Sequence, residues 1–432
     1  MKLKLFLLFF NLFIIPLFCF NPINKNIKGL NKKLIFEENK SDDNKRKYQI
    51  EWLEDVPIDH FSYGFIYDIA PQFGAAIIFA EHRYFGETLP FGNDSYSNVQ
   101  NLGYLSPEQA LADYALLIKY LKEKRLPNTN NSPVIAFGAS YGGMLTAWMR
   151  LKYPNLIDGG IAASAPVRLF ENVPNVIDSS YFDIITRNFL HYGCTVEMLT
   201  KSFNAIRQKA KTPQINVPSD AEHLINAFTS QLDFMSMWNY NYYSPPYPIK
   251  KSCQAFSSAK TFEEFVLAPF HTFEWLYIKN NDSTFQLWNW NDKYEGSDDF
   301  LWDWLICTEL VMPECSRGPP FDVFNKTCPF NENDYLKSCL DKLSKFGYNK
   351  DLFRPNWATT NYGYDFSTAT NIVFTNGIFD PWSGGGWRQT TTNVGSIYSL
   401  ITDGGHCYDL RGAKKHITEW INQAKLKANL TD

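Results

Sequence analysis

The sequence predicts an α/β protein: a mostly parallel sheet covered by helices on both faces, interrupted by an inserted helical cap domain. Three observations predict it. Apolar runs of strand length alternate with longer helical patterns between residues 75 and 163. Similar apolar runs return after residue 370, and between the two blocks lies an aromatic, polar, mostly helical stretch from about Arg168 to Arg354. The chain of 432 residues is long enough for one large domain with an insertion, or for two domains.

Met1 to Phe20 place Lys2 and Lys4 ahead of an almost unbroken apolar run, the layout of a secretory signal peptide. A membrane anchor is the rival reading, disfavoured by Pro16, by the bare spanning length and by the lack of a basic flank directly afterwards. Residues 21–47 are polar and rich in Asn and Lys and read as a flexible leader or propeptide. No apolar strand follows between Tyr48 and Ala75, where such a sheet needs its early strands. Ala75 to Ala80, AAIIFA, is the first clear strand. Ser106 to Lys122 reads as a helix: Ser106 caps, Pro107 suits the first turn, and Leu111, Tyr114, Leu117 and Leu121 make its apolar face. Pro133 to Phe137 is a strand, Gly142 to Tyr153 a helix stopped by Pro154, and Leu156 to Ala163 a strand. After the insertion come strands Asn371 to Thr375 and Gly395 to Ile401, then a closing helix from about Lys414 to Leu426. The expected divisions are therefore 1–20, 21–47, 48–167, 168–354 for the cap, and 355–432.

Of the 8 cysteines, Cys19 leaves with a signal peptide, and six of the remaining seven lie in the cap stretch. None forms a CxxC pair, which favours disulfides in an oxidising lumen over zinc and leaves one thiol unpaired. Sequons at Asn39, Asn93, Asn130, Asn281, Asn325 and Asn429 agree with that compartment. The formal net charge of −4, or −6 without Lys2 and Lys4, gives no electrostatic footing for nucleic acid.

Gly138, Ser140 and Gly142 form G-x-S-x-G between a predicted strand and a predicted helix, the setting in which this pattern exposes a nucleophilic serine on a sharp turn. The backbone N–H of Tyr141, the next residue, is the expected oxyanion donor. A serine hydroxyl needs a base, and the base an orienting acid. Asp380 follows the strand NIVFT and His406 follows GSIYSLI, so parallel strands deliver both to one rim in the order Ser, Asp, His. Each has a plain alternative: Asp380 as the cap of a turn before Pro381, His406 as a satisfied surface histidine. His82 is the rival base, set aside because it precedes the serine and adjoins Glu81 and Arg83 in what reads as structural ion pairing.

The segments AEHRYFGETLPFG (Ala80 to Gly92), SPEQALADYALLIKYL (Ser106 to Leu121), GASYGGMLTAWMRLKYP (Gly138 to Pro154), CTELVMPEC (Cys307 to Cys315), TNIVFTNGIFDPWSGGG (Thr370 to Gly386) and GGHCYDLR (Gly404 to Arg411) resemble the S28 serine peptidases, from about Tyr48 to the C-terminus. The resemblance implies an α/β-hydrolase fold with a helical cap, Ser140 as nucleophile, Asp380 as acid, His406 as base, and no metal or cofactor. It implies peptide substrates with proline near a terminus. CTELVMPEC is more similar to the carboxypeptidase branch than to the dipeptidyl one, which favours release of a C-terminal residue after proline; release of X-Pro dipeptides is the alternative. A lipase or esterase fits the same three residues, though no long apolar lid helix is evident. The expected location is lysosomal or extracellular, with no stable membrane insertion after signal cleavage. The oligomeric state stays open, a homodimer included.

Two departures from the family pattern matter. Cys407 stands where a second histidine usually follows the first, which keeps His406 as the single candidate base and makes Cys407 the expected free thiol. The second departure is larger. The family has a buried strand and a Gly-Asn-Glu-Gly loop between the segments resembling PIDHF (Pro57 to Phe61) and GFIYDIA (Gly64 to Ala70), whereas here Gly64 follows Phe61 almost at once. That loop would supply the second oxyanion donor, and losing one donor typically costs about 3 kcal/mol of transition-state stabilisation. The gap suggests a splice form, a faulty gene model or an inactive paralogue, and a full-length transcript is expected to encode the absent stretch.

Overall fold

The computed structural model describes residues 4–9, 65–126, 128–210, 218–240, 247–265, 268, 296–390 and 397–410. Six parallel strands form one sheet in the order β2-β1-β3-β4-β5-β6. They are β1 (Lys4–Phe9), β2 (Ala75–Ala80), β3 (Val134–Ala139), β4 (Gly159–Ala163), β5 (Ile372–Gly377) and β6 (Ile397–Thr402). Strands buried on both faces read as continuous apolar runs rather than alternating ones, which is why AAIIFA and PVIAF are legible as strands.

The strand β1 overlaps the residues expected to form a signal peptide. In the structure, residues read as part of a signal peptide supply the strand that the sequence lacks between Tyr48 and Ala75. Leu5 pairs with Ala76 on one side and Val134 on the other, and Leu8 with Phe79 and Phe137. A segment hydrogen-bonded on both edges inside a sheet cannot also be removed on secretion, so the mature N-terminus separates the two fates. The segment 65–74 is a helix, α1 (Phe65–Phe73), followed by a turn at Gly74.

The helices α2 (Pro107–Tyr120) and α3 (Tyr141–Lys152) fall where the sequence places them. Ser106 accepts from the Gln109 N–H at 3.3 Å and Pro107 occupies the first turn, satisfying helix-start donors as expected. The expected leader at 21–47 and closing helix at 414–426 lie outside the described residues.

The stretch expected as a cap contains α4 (Ser180–His191), α5 (Val196–Ala210), α6 (Pro218–Met237), α7 (Pro248–Ser258), α8 (Asp298–Thr308) and α9 (Glu332–Leu343). Helices α4 to α7 enclose their own apolar cluster, with Ile185, Phe189, Phe203, Phe228 and Phe256 buried beside the Cys194–Cys253 bridge. By contrast, Phe300, Trp304 and Leu305 of α8 join the sheet's core with Leu111 and Trp148. Cys307–Cys339 and Cys315–Cys328 complete the pairing of the six cysteines in this stretch.

Cys407 is also disulfide-bonded, and no described cysteine is free, which overturns the expectation of one unpaired thiol. Among the described residues no helix is long and apolar enough to cross a membrane.

Candidate active site

Ser140 lies between β3 and α3, capping the helix with φ 56° and ψ −126°, a backbone geometry that L-residues rarely adopt. The turn closes only because its flanks are small. A Cβ on Gly138 would lie 2.0 Å from the Gly142 carbonyl oxygen, and one on Gly143 would lie 2.8 Å from that of Ala163. The Ser140 N–H donates to the Ala163 carbonyl at 2.9 Å, tying the turn to the end of β4. Tyr141 is the first residue of α3, so its N–H is one of the helix-start donors that lack an intrahelical acceptor. That N–H is therefore available to an oxyanion beside Ser140.

Asp380 lies three residues beyond β5 and His406 four beyond β6, both fully buried. The His406 Nδ1 stands 2.9 Å from Asp380 Oδ1. A carboxylate only accepts, so Nδ1 carries the proton and Nε2 presents its lone pair. Nε2 has no hydrogen-bond partner here, so no Ser140–His406 bond is formed in this state; such bonds are often long without substrate. Asp380 also accepts the Trp382 N–H at 3.0 Å, so it caps the turn at Pro381 and holds the imidazole at once.

Several contacts carry His406 from the sheet edge towards Ser140. Phe379 N–H donates to the Gly404 carbonyl at 3.1 Å, fastening the Asp380 loop to the His406 loop. A Cβ on Gly377 would meet that same Gly404 oxygen at 2.2 Å. Cys407 N–H then donates to Ser164 Oγ at 2.8 Å, beyond the end of β4 and so one strand from Ser140. Cys407 is buried in one cluster with Ala139 and Ala163, the residues around the Ser140 turn. His406 and Asp380 thus pair directly, and the loop that carries His406 is tied to Ser164, one strand from the Ser140 turn.

His82 has other work. Its Nδ1 lies 2.7 Å from the Arg83 carbonyl and must donate to it, which leaves Nε2 to accept the Tyr141 hydroxyl at 3.2 Å. Burial lowers its pKa to about 4, so it stays neutral. The ion pairing expected around it is different from the sequence reading. Arg83 grips Asp113 with two 2.7 Å bonds, while Glu81 accepts from Thr88 N–H at 2.8 Å.

Sequence reasoning missed Ser164, Trp382, Met237 and Tyr240, which hold the two loops. Ser164 directly follows a predicted strand, a signal that could have found it. Tyr240 sits in the aromatic run WNY, which carries no positional signal.

A strained serine turn after a central parallel strand, with a buried histidine–carboxylate pair from two later strands at the same edge, defines the α/β-hydrolase class. Within that class the chain belongs to the serine carboxypeptidase S28 family, whose pattern matches residues 54–428. It is 38% identical over 391 residues to prolyl carboxy peptidase like protein 5 of Caenorhabditis elegans, covering 84% of this chain and 77% of that protein. It is 38% identical over 373 residues to lysosomal Pro-X carboxypeptidase of Homo sapiens, covering 81% and 72%. The Mus musculus protein of that name is 34% identical over 395 residues, covering 83% and 78%.

Proposed function

We propose that this chain is a serine exopeptidase that cleaves peptide bonds next to proline and releases a C-terminal residue through an acyl-enzyme. The observation that carries the reading is the fully buried 2.9 Å His406–Asp380 pair on the rim that also holds the Ser140 turn. The direction of attack rests on the relatives named Pro-X carboxypeptidase.

In this reading the Ser140 hydroxyl attacks the carbonyl carbon on the C-terminal side of proline while His406 Nε2 takes its proton. Asp380 stabilises the imidazolium that results. The Tyr141 N–H donates to the oxyanion. Collapse of the tetrahedral species passes the Nε2 proton to the leaving amine, and water then attacks the acyl-enzyme with His406 again as base. The relatives' name supports a place in the secretory pathway, in the lysosome or outside the cell.

Paired substrates test the reading. Peptides ending in Pro-Phe with a blocked N-terminus should be cleaved, whereas those with a blocked C-terminus should not. Release of X-Pro dipeptides from free N-termini would instead establish the dipeptidyl reading. The missing Gly-Asn-Glu-Gly loop favours a second reading, a peptide-binding protein with an impaired oxyanion hole. Peptide binding without turnover, and without fluorophosphonate labelling at Ser140, would establish that one.

A further inference from the structure

We propose that the cap positions the base: Tyr240, together with the Met237 carbonyl, sets the place of the His406 imidazole. The inference rests on the reading of His406 as the base. Met237 ends α6 and Tyr240 lies three residues further on, within the stretch expected as the cap. His406 is held by its backbone on both sides. Its N–H donates to the Met237 carbonyl at 3.1 Å, and its carbonyl accepts the Tyr240 hydroxyl.

The contact is built for close approach. A Cβ on Gly405 would lie 2.7 Å from the Met237 carbonyl oxygen, so only glycine lets the two backbones meet without displacement. Tyr240 is 1% exposed and stacks on Tyr408, with ring centroids 5.8 Å apart and planes 21° from parallel. The same segment reaches the acid. The Trp382 indole N–H donates to Met237 Sδ at 3.3 Å, and the Trp382 backbone N–H donates to Asp380 Oδ1 at 3.0 Å. From α4, the Asn188 amide donates to the Phe379 carbonyl at 2.6 Å, just before Asp380. On the far side of the histidine, Ser164 anchors the loop from the sheet through the Cys407 N–H. Seating of the cap therefore completes the geometry of the Asp380–His406 pair. Tyr240 acts through the His406 backbone and is a positioning residue.

Tyr240→Phe keeps the ring and the stack and removes only the hydroxyl. It should lower kcat about 10- to 100-fold with KM nearly unchanged, the size expected when a reacting group is held loosely. Tyr348→Phe removes a similar buried bond, from Tyr348 to the Cys307 carbonyl at 2.5 Å, well away in sequence from the three site residues, and should leave kcat unchanged. Gly405→Ala, which drives a methyl against Met237, should lower kcat further. In protein carrying 13C-labelled histidine, the imidazole resonance assigned through His406→Gln should move in Tyr240→Phe and stay fixed in Tyr348→Phe. Equal kcat in the two tyrosine variants, with the His406 resonance unmoved, overturns the inference. If the unchanged protein hydrolyses no peptide while the resonance still moves, the clamp stands and the proposed function falls.

Discussion

Replacing Asp380 by asparagine removes one charge and almost no volume, so it isolates what the carboxylate does for His406. The side chain is fully buried, and its Oδ1 takes both the His406 Nδ1–H at 2.9 Å and the Trp382 N–H at 3.0 Å. An amide oxygen can still accept both, so the turn at Pro381 should persist. The imidazolium formed during attack then loses its counter-charge. With charge centres about 4 Å apart and an effective dielectric constant of about 20, that interaction is about 4 kcal/mol, or roughly 1,000-fold in rate. If the amide rotates so that its NH2 faces Nδ1, the proton is forced onto Nε2, where no base remains, and the loss grows towards about 10,000-fold. The assay is initial-rate hydrolysis of an N-blocked peptide ending in Pro-Phe, with thermal unfolding as the check on folding. The expected result is a fall in kcat with little change in KM or Tm. A loss of kcat below about 10-fold in a folded variant would refute the orienting role of Asp380.

Other perturbations have defined outcomes. Burial raises the pKa of Asp233 to about 7 and that of Glu314 to about 8, so the folded protein keeps protons that the unfolded chain has released. Stability from these groups is present below their unfolded pKa values and falls as pH rises towards about 8, whereas neutral His82 opposes this only below about pH 6.5. Tm should therefore be lower at about pH 8.5 than at about pH 6.5, with the difference reduced in Asp233→Asn/Glu314→Gln. Gly377→Ala sets a methyl 2.2 Å from the Gly404 oxygen, and should cost about 2 kcal/mol or more by urea unfolding while lowering kcat. Opening the Cys194–Cys253 bridge, which spans 59 residues, by paired alanines should destabilise the chain by about 3–4 kcal/mol. Deleting residues 1–20 removes the partner of both β2 and β3, and the shortened chain should show a lower Tm or remain insoluble; an unchanged Tm would refute a structural role for β1.

The sheet was legible wherever a strand is buried on both faces, since its apolar run is then continuous. AAIIFA falls on β2 residue for residue, and PVIAF and NIVFT are recovered within a few positions as β3 and β5. Ser140, Asp380 and His406 were legible because parallel strands must end on one edge, so position after a strand fixes position in space. The interior place of Lys4–Phe9 was not, because an apolar run behind two lysines satisfies the requirements of a leader and of a central strand equally. Nor could sequence spacing place Tyr240 and Met237 against His406, a contact between residues more than 160 positions apart that depends on how α6 seats on the sheet edge.

The most direct test of the account is mass spectrometry of the purified protein after reaction with a fluorophosphonate. The account predicts one adduct, on Ser140, lost in Ser140→Ala and strongly slowed in both His406→Gln and Asp380→Asn. An adduct on another residue, or labelling of Ser140 at an unchanged rate without His406, would contradict it.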